Sequence, residues 1–198
     1  GKLASQIKDK SNRSKKVLEE FVAAGAPVEI VYQAKPHIGT DNLVKVVRNI
    51  RKNIISLGGQ VLFETQLTGI ETDNGMVAAA MTSGGTIEAT HLILALGHSA
   101  RDTFEMLHKS GIMMEAKPFS IGVRIEHPQG LINKSQYGGY ETDPRLGAAD
   151  YRLVHHCKNG RSAYTFCMCP GGEVIASSSE AGMVVTNGMS HYLRNRPN

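Results

Sequence analysis

The chain contains no apolar run near the ~20 residues needed to cross a bilayer; stretches such as Leu92 to Leu96 are far too short. No N-terminal apolar stretch precedes the first polar residues, so no signal peptide is expected. Cysteine is scarce, three in 198 residues without a framework spacing. That scarcity fits a reducing compartment, and the cytoplasm is the expected location. No Gly-x-Ser-x-Gly string occurs, which argues against a nucleophile elbow. A Walker-type loop is missing its Gly-Lys-Ser/Thr ending. Internal repeats and low-complexity segments are also missing. What is present is ordinary: 41% hydrophobic and 20% charged residues, which excludes disordered and fibrous classes. The length allows one large domain or two small ones with a sizeable core.

The formal charge of +4 is not spread over the fold. Residues 1–16 hold Lys2, Lys8, Lys10, Arg13, Lys15 and Lys16 against Asp9 alone, and the rest of the chain has a net charge of −1. The excess reads as one solvated helix leading to Val17, Leu18, Phe21 and Val22. A nucleic-acid face would be broader and would carry stacking aromatics, so no nucleic-acid partner is expected.

The first half reads as α/β. Val28 to Tyr32 is a short β-branched run with strand character. Thr40 or Asp41 can cap a helix from about Asn42 to Leu57, with the apolar stripe Leu43, Val46, Val47, Ile50, Ile54 and Leu57. Gly58-Gly59 ends it, and Gln60 to Glu64 predicts a second strand. Together these form a βαβ unit with a parallel sheet. Leu67 to Thr72, Met76 to Thr82 and Thr86 to Ala89, separated by Asp73-Asn74-Gly75 and Ser83-Gly84-Gly85, predict an antiparallel meander. His91 to Leu96 then reads as a strand buried on both faces. Ser99 and Asp102 have capping-box spacing for a helix through Lys109.

The second half reads as mostly antiparallel. Ile121, Val123 and Ile125 alternate with Gly122, Arg124 and Glu126, as in a strand with one buried face. Asn159-Gly160 marks a hairpin. A two-residue turn there pairs Leu153 with Phe166, His155 with Tyr164 and Tyr151 with Met168. Another strand is expected near Glu173 to Ser177.

His155, His156, Cys157, Cys167 and Cys169 invite a zinc reading. In the hairpin register Cys167 sits five positions along from Cys157, roughly 16 Å at ~3.3 Å per residue. Zinc ligands stand at about 2 Å from the ion, so no metal site is expected. Cys167-Met168-Cys169 also lacks the two-residue spacer of thioredoxin-like motifs.

The strand His91 to Gly97 ends in small residues, and a ligand can approach such backbone closely at the carboxyl end of a strand. The following helix start offers free N–H groups to an anion. Together with Gly58 to Ile70 and the meander, Leu92 to Gly97 resembles the middle of two-domain Rossmann-type flavoproteins. More narrowly, Lys35 to Asp41, Ser120 to Pro128, Tyr164 to Gly172 and Thr186 to Ser190 resemble a family of bacterial FAD-dependent dehydrogenases, described as NAD(FAD)-utilising. The likeness runs from Val28 to the end of the chain.

The resemblance implies a partial Rossmann-like FAD domain, βαβ plus meander, with an inserted, mostly antiparallel β-rich domain. Residues 1–111 would form the partial FAD domain with its N-terminal helix, 112–180 a substrate or cap domain, and 181–198 a return segment toward the FAD domain. Ala95, Leu96 and Gly97 would lie by the flavin, Gln66 and Leu67 beside the adenine, and Asn187, Gly188 and Met189 near the flavin ring. The strings Lys35 to Asp41 and Cys169 to Gly172 could equally be structural turns. No catalytic acid or base is assigned.

Two parts of the family pattern are missing: the Gly-x-Gly-x-x-Gly pyrophosphate loop and the carboxyl-terminal Gly-Asp segment near the ribityl chain. The chain therefore reads as an interior fragment, with Gly1 and Asn198 as its boundaries and no expected activity of its own. The intact protein would be an FAD-dependent oxidoreductase, moving hydride between a small-molecule substrate and flavin, with NAD(P)H as a candidate electron donor. Two alternatives stand beside it. One is a stand-alone α/β binding or interaction module without catalysis. The other is a flavoprotein-like RNA-modification enzyme, against which the net −1 outside residues 1–16 weighs.

Overall fold

The structure, a computed structural model, describes residue 3 and residues 8–196. Residues 1, 2 and 4–7 of the basic segment, and 197–198 of the return segment, lie outside the described residues. The fold mixes helices with small antiparallel sheets. The chain divides into two compact units, Gly1–Gly59 with Val123–Ser178 and Val184–Asn198, and Gln60–Gly122 with Ser179–Met183.

In the first unit, α1 spans Arg13–Ala23 and α2 spans Thr40–Ser56. Asp9 accepts backbone N–H groups from Ser14 at 2.6 Å and Ser11 at 3.2 Å, which ties down the approach to α1. The core is Ala24, Ala26, Ile30, Ile38 and Val46, with Leu18, Phe21, Val22 and Ile50 packed on it. Ile30 and Val46 are 1% exposed. The predicted helix stripe on α2 is thus buried at Val46, while Val47 and Leu57 stay exposed. The start of α2 also differs from expectation. Its N-cap is Gly39 at φ 87°, without a side-chain cap, because Thr40 turns its hydroxyl to the Ser190 carbonyl.

Val28–Val31 is a 3-10 turn, not a strand. The Pro27 carbonyl accepts Ile30 N–H at 3.3 Å, and the turn puts Ile30 into the core beneath the helices. Burial of one β-branched side chain therefore overrides the strand propensity of its neighbours. The second βαβ strand is also missing. Glu64 takes φ 53°, and Thr65 Oγ1 donates to the Phe63 carbonyl at 2.9 Å, so 63–65 turns where a ladder was expected. Every ladder among the described residues is antiparallel.

The second unit is built on the expected meander: β1 (Leu67–Asp73), β2 (Met76–Thr82) and β3 (Gly85–Glu88), in the order β1-β2-β3. Asn74 (φ 50°) and Gly75 (φ 79°) make the two-residue turn, both in the left-handed region that such hairpins require. Helix α3 (Arg101–Lys109) packs against β1 and buries Thr103 and Leu107. The expected capping box is not formed: the N-cap is Ala100. Asp102 instead accepts Gln66 Nε2 at 2.5 Å, and Ser99 accepts the Ser179 hydroxyl at 2.8 Å. Residues 91–97 form no strand, and Ile93 is 90% exposed. An apolar strand of the doubly covered type needs ladder partners and a layer on each face, and the meander supplies neither.

The second half of the chain adds α4 (Gln129–Tyr137), the hairpin β4 (Val154–His156) and β5 (Ser162–Tyr164), and the pair β6 (Glu173–Ser177) and β7 (Val185–Met189). The hairpin exists but its register is one residue off the expectation. Val154 faces Tyr164 and His155 faces Ala163. The loop holds three residues, Lys158 to Gly160, closed by Cys157 N–H to the Arg161 carbonyl at 2.8 Å. Gly160 at φ 80° occupies the left-handed position that this loop type requires. The strand expected at 121–126 is unpaired backbone. Both faces of the expected alternation are exposed, Ile121 at 87% and Val123 at 95%, and Glu126 Oε1 accepts Val174 N–H at 2.7 Å.

Candidate functional site

Three sequence-distant strings meet in the first unit: Lys35 to Asp41, Cys169 to Gly172, and Asn187 to Ser190. The carboxyl end of β7 runs into Ser190, 7% exposed. Its carbonyl accepts both the N–H and the hydroxyl of Thr40, at 3.1 and 3.2 Å. One residue on, His37 Nε2 lies 3.0 Å from the His191 carbonyl oxygen and 3.4 Å from Ser190 Oγ. Tyr192 N–H donates to Asp41 Oδ1 at 2.9 Å. Each of these contacts joins the start of α2 or the turn before it to the strand-following segment, about 150 residues away in sequence.

Charges here are tuned by their surroundings. Desolvation holds the His37 pKa below its ordinary value, aided by the positive charge of Arg194 and opposed by the His191 carbonyl and Asp41. At Asp41 partial desolvation pushes upward, yet backbone N–H groups, that of Tyr192 foremost, bring the carboxyl below its ordinary value.

The Pro170-Gly171-Gly172 turn is held from a second direction. Gly171 N–H donates to Gln129 Oε1 at 2.8 Å, and Arg196 N–H donates to the Gly171 carbonyl at 3.2 Å. Gln129 begins α4 and is 8% exposed. Its Nε2 donates to Asn133 Oδ1 at 2.8 Å and to the Ala149 carbonyl at 2.9 Å, so the buried amide is satisfied on both sides. A side chain at Gly171 would collide with the Arg194 carbonyl, and one at Gly172 would lie 2.5 Å from the Met189 carbonyl oxygen. These glycines permit the turn to lie directly against the end of β7.

Along β7, Asn187 faces Ile175, Gly188 faces Val174 and Met189 faces Glu173. The position a Cβ would take on Gly188 is 2.6 Å from Arg124 Nη1 and 2.9 Å from Cys169 Sγ. Guanidinium and thiol therefore crowd the one strand position without a side chain. Arg124 has no ion pair among the described residues. Asn187 and Met189 are exposed.

The other expected site residues lie in the second unit. Leu67 opens β1 and pairs with Thr82. Gln66 N–H donates to Ser83 Oγ at 3.0 Å, and its Nε2 donates to Asp102. Ala95, Leu96 and Gly97 are in irregular backbone; Gly97 has φ 69° and open space where a Cβ would be. Arg124 and Gln129 were not singled out from sequence. Their signal was their place in or beside the string Ser120 to Pro128, without any residue-level role. The groove between α1 and α2, lined by Phe21, Ala24, Asn49 and Ile54 among others, contains none of the expected site residues.

As a test of fit to a flavin, the two groups of residues differ. Strand β7 presents the exposed amide of Asn187 and thioether of Met189 on one face, while the Gly188 position on the other is filled by Arg124 and Cys169. The backbone at 95–97 builds no cradle. No helix of the described residues is long and apolar enough to cross a membrane.

Over 199 aligned residues the chain is 50% identical to an uncharacterized protein of Clostridium beijerinckii. The alignment covers all of this chain and 37% of that relative, so the chain spans little more than a third of the protein it matches. Residues 118–198, which contain Arg124, Gln129, Cys169 to Gly172 and β7, match the family described as FAD-dependent protein, C-terminal domain-like, and through that match the chain is similar to FAD-dependent proteins.

Proposed function

We propose that this chain is the interior part of an FAD-dependent oxidoreductase that moves hydride between a small-molecule substrate and flavin in the cytoplasm. The observation that carries the reading is the coincidence of the FAD-dependent family match, 118–198, with the cluster where three of the resemblance strings converge. In this reading residues 1–111 belong to the FAD domain, 112–180 to a substrate or cap domain, and 181–198 return toward the FAD domain.

FAD, when bound, supplies the two-electron chemistry. The chain's own residues bind and orient. Asn187, Gly188 and Met189, backed by Arg124, would hold the ring. Gln66 and Leu67 would face the adenine. Ala95 to Gly97 would contribute bare backbone once a longer chain covers and pairs 91–97. His37, Thr40 and Asp41 hold Ser190 to Tyr192, and so fix the direction in which β7 ends.

The test is the product of the complete reading frame that includes this chain, purified under conditions that retain cofactor. The expected result is a yellow protein that releases FAD on denaturation and is bleached anaerobically by NADH or NADPH. A colourless protein would overturn the reading. A coloured protein bleached by neither nucleotide would remove NAD(P)H as donor and leave the flavin assignment standing.

A further inference from the structure

We propose that Cys167 and Cys169 form a redox-active dithiol pair, just past β5, which exchanges with low-molecular-weight disulfides and closes into a disulfide of its own. The inference stands whatever cofactor the intact protein holds. Three observations carry it. The Cys169 thiol folds back and donates to the Cys167 carbonyl at 3.4 Å, so its sulfur lies over the residue that bears the other thiol. A disulfide asks for Cβ atoms about 3.5–4.5 Å apart, and rotation of the Cys167 side chain is the movement that remains. Cys167 itself has φ 52°, left-handed backbone that a residue with a side chain rarely adopts and that persists only where its surroundings impose it. They do so here: Tyr151 N–H donates to Met168 Sδ at 3.1 Å, and Gly171 N–H donates to Gln129 in the turn that follows. Finally, both thiols are free and partly exposed, within reach of a small oxidant. Cys157 is not the partner. It sits opposite Arg161 at the hairpin loop, and from there to Cys167 the strand runs roughly 20 Å at ~3.3 Å per residue.

One thiolate attacks a sulfur of the small disulfide; that S–S bond breaks and one small thiolate leaves. The second cysteine then attacks the mixed disulfide from within the chain, the Cys167–Cys169 bond forms, and the other small thiolate leaves. The protein gives up two electrons and two protons, and the small disulfide takes both and ends as two thiols. A loop with one residue between its cysteines is tighter than the spacing of thioredoxin-like motifs. Its disulfide is strained, and strain makes it easy to reduce. The pair therefore opens and closes with the thiol–disulfide poise around it.

The experiment equilibrates the folded, intact protein with mixtures of reduced and oxidised glutathione, quenches with acid, blocks free thiols with N-ethylmaleimide and digests with trypsin. Cleavage after Arg161 and Arg194 leaves both cysteines on one peptide, Ser162 to Arg194, without Cys157. The expected product is that peptide free of label and of glutathione, lighter than its reduced form by two hydrogen atoms. Reduced glutathione should restore the dithiol. Folding should raise the equilibrium constant for closure at least tenfold over the same protein in urea, because the fold holds the two residues together. Cys167→Ser and Cys169→Ser should each stop at a glutathione adduct on the remaining thiol. Wild type alone decides the matter if either variant fails to fold. A peptide that stays fully labelled, keeps glutathione, or links to another cysteine would overturn the inference, as would equal closure in urea.

Discussion

His37 Nε2 meets the carbonyl oxygen of His191 at 3.0 Å, across 154 positions of sequence. Desolvation, with the Arg194 charge, holds the imidazole pKa below 6.5 in the fold. The unfolded chain then binds the proton more readily than the folded one, so stability rises with pH through this group. The contribution is complete above about pH 6.5 and is lost as pH falls from there toward the lowered folded value. Urea denaturation midpoints for wild type are expected to drop over that window, and His37→Gln should flatten the drop. Parallel pH profiles for the two proteins would show that His37 does not report on this contact. Asp41, whose pKa is also lowered, acts in a separate and more acidic range, below its ordinary 3.8.

Gly171 and Gly147 both sit in the left-handed region, at φ 54° and 65°. A Cβ at 147 enters open space, whereas one at 171 meets the Arg194 carbonyl backbone. Gly147→Ala should therefore cost only conformational strain, about 1–2 kcal/mol. Gly171→Ala must in addition push the 194 segment away, and should exceed that cost by a further ~1–3 kcal/mol. Chemical denaturation of both variants checks the difference; equal losses would place the Arg194 carbonyl elsewhere.

Replacing Gln129 by Leu keeps the volume roughly constant and removes three hydrogen bonds, to Gly171, Asn133 and Ala149. Buried backbone groups left unpaired cost about 1–3 kcal/mol each. A loss of about 2–4 kcal/mol is expected. Gln136→Leu, on the exposed side of the same helix, should stay within about 0.5 kcal/mol. Similar values for the two would mean that the Gln129 amide is solvated.

Ile30 is 1% exposed and Ile93 is 90% exposed. Ile30→Ala should cost about 2–5 kcal/mol, the range for a buried aliphatic truncation. Ile93→Ala should change the stability of the 198-residue chain by less than about 0.5 kcal/mol. In the intact protein the proposed function expects the opposite for Ile93, because a covered strand at 91–96 would bury it. Thermal unfolding of both variants in both lengths of protein tests the two statements together.

Elements whose signals are local were readable from sequence. The α2 helix, the meander and β6 carry their own periodicity and turn residues, and Asn74-Gly75 needs no distant partner to choose its turn. The segments 28–32, 60–64, 91–96 and 121–126 have strand composition but depend on neighbours. Without a ladder, Ile30 went to a helix-backed core, Glu64 to a turn, and Ile93 and Val123 to solvent. Asn159-Gly160 marks the hairpin without fixing its register, since the dipeptide suits a three-residue loop as well as a two-residue one. At the site, the strings announced that Asn187 to Met189 belonged somewhere special. The seat of Arg124 on Gly188 was beyond any local rule, because it depends on how a segment 64 positions earlier lies against β7.

Thr40 joins Ser190 by two hydrogen bonds, and this dictates an order of assembly. During synthesis, the meander closes as soon as residue 88 has emerged, since its whole ladder lies between 67 and 88. The α1–α2 pair is made earlier yet cannot be tied to Ser190 until that residue, 150 positions after Thr40, has left the ribosome. For that interval the contacts of Thr40 and Asp41 with the segment after β7 are unmade. The first unit to be translated is thus the last to be finished.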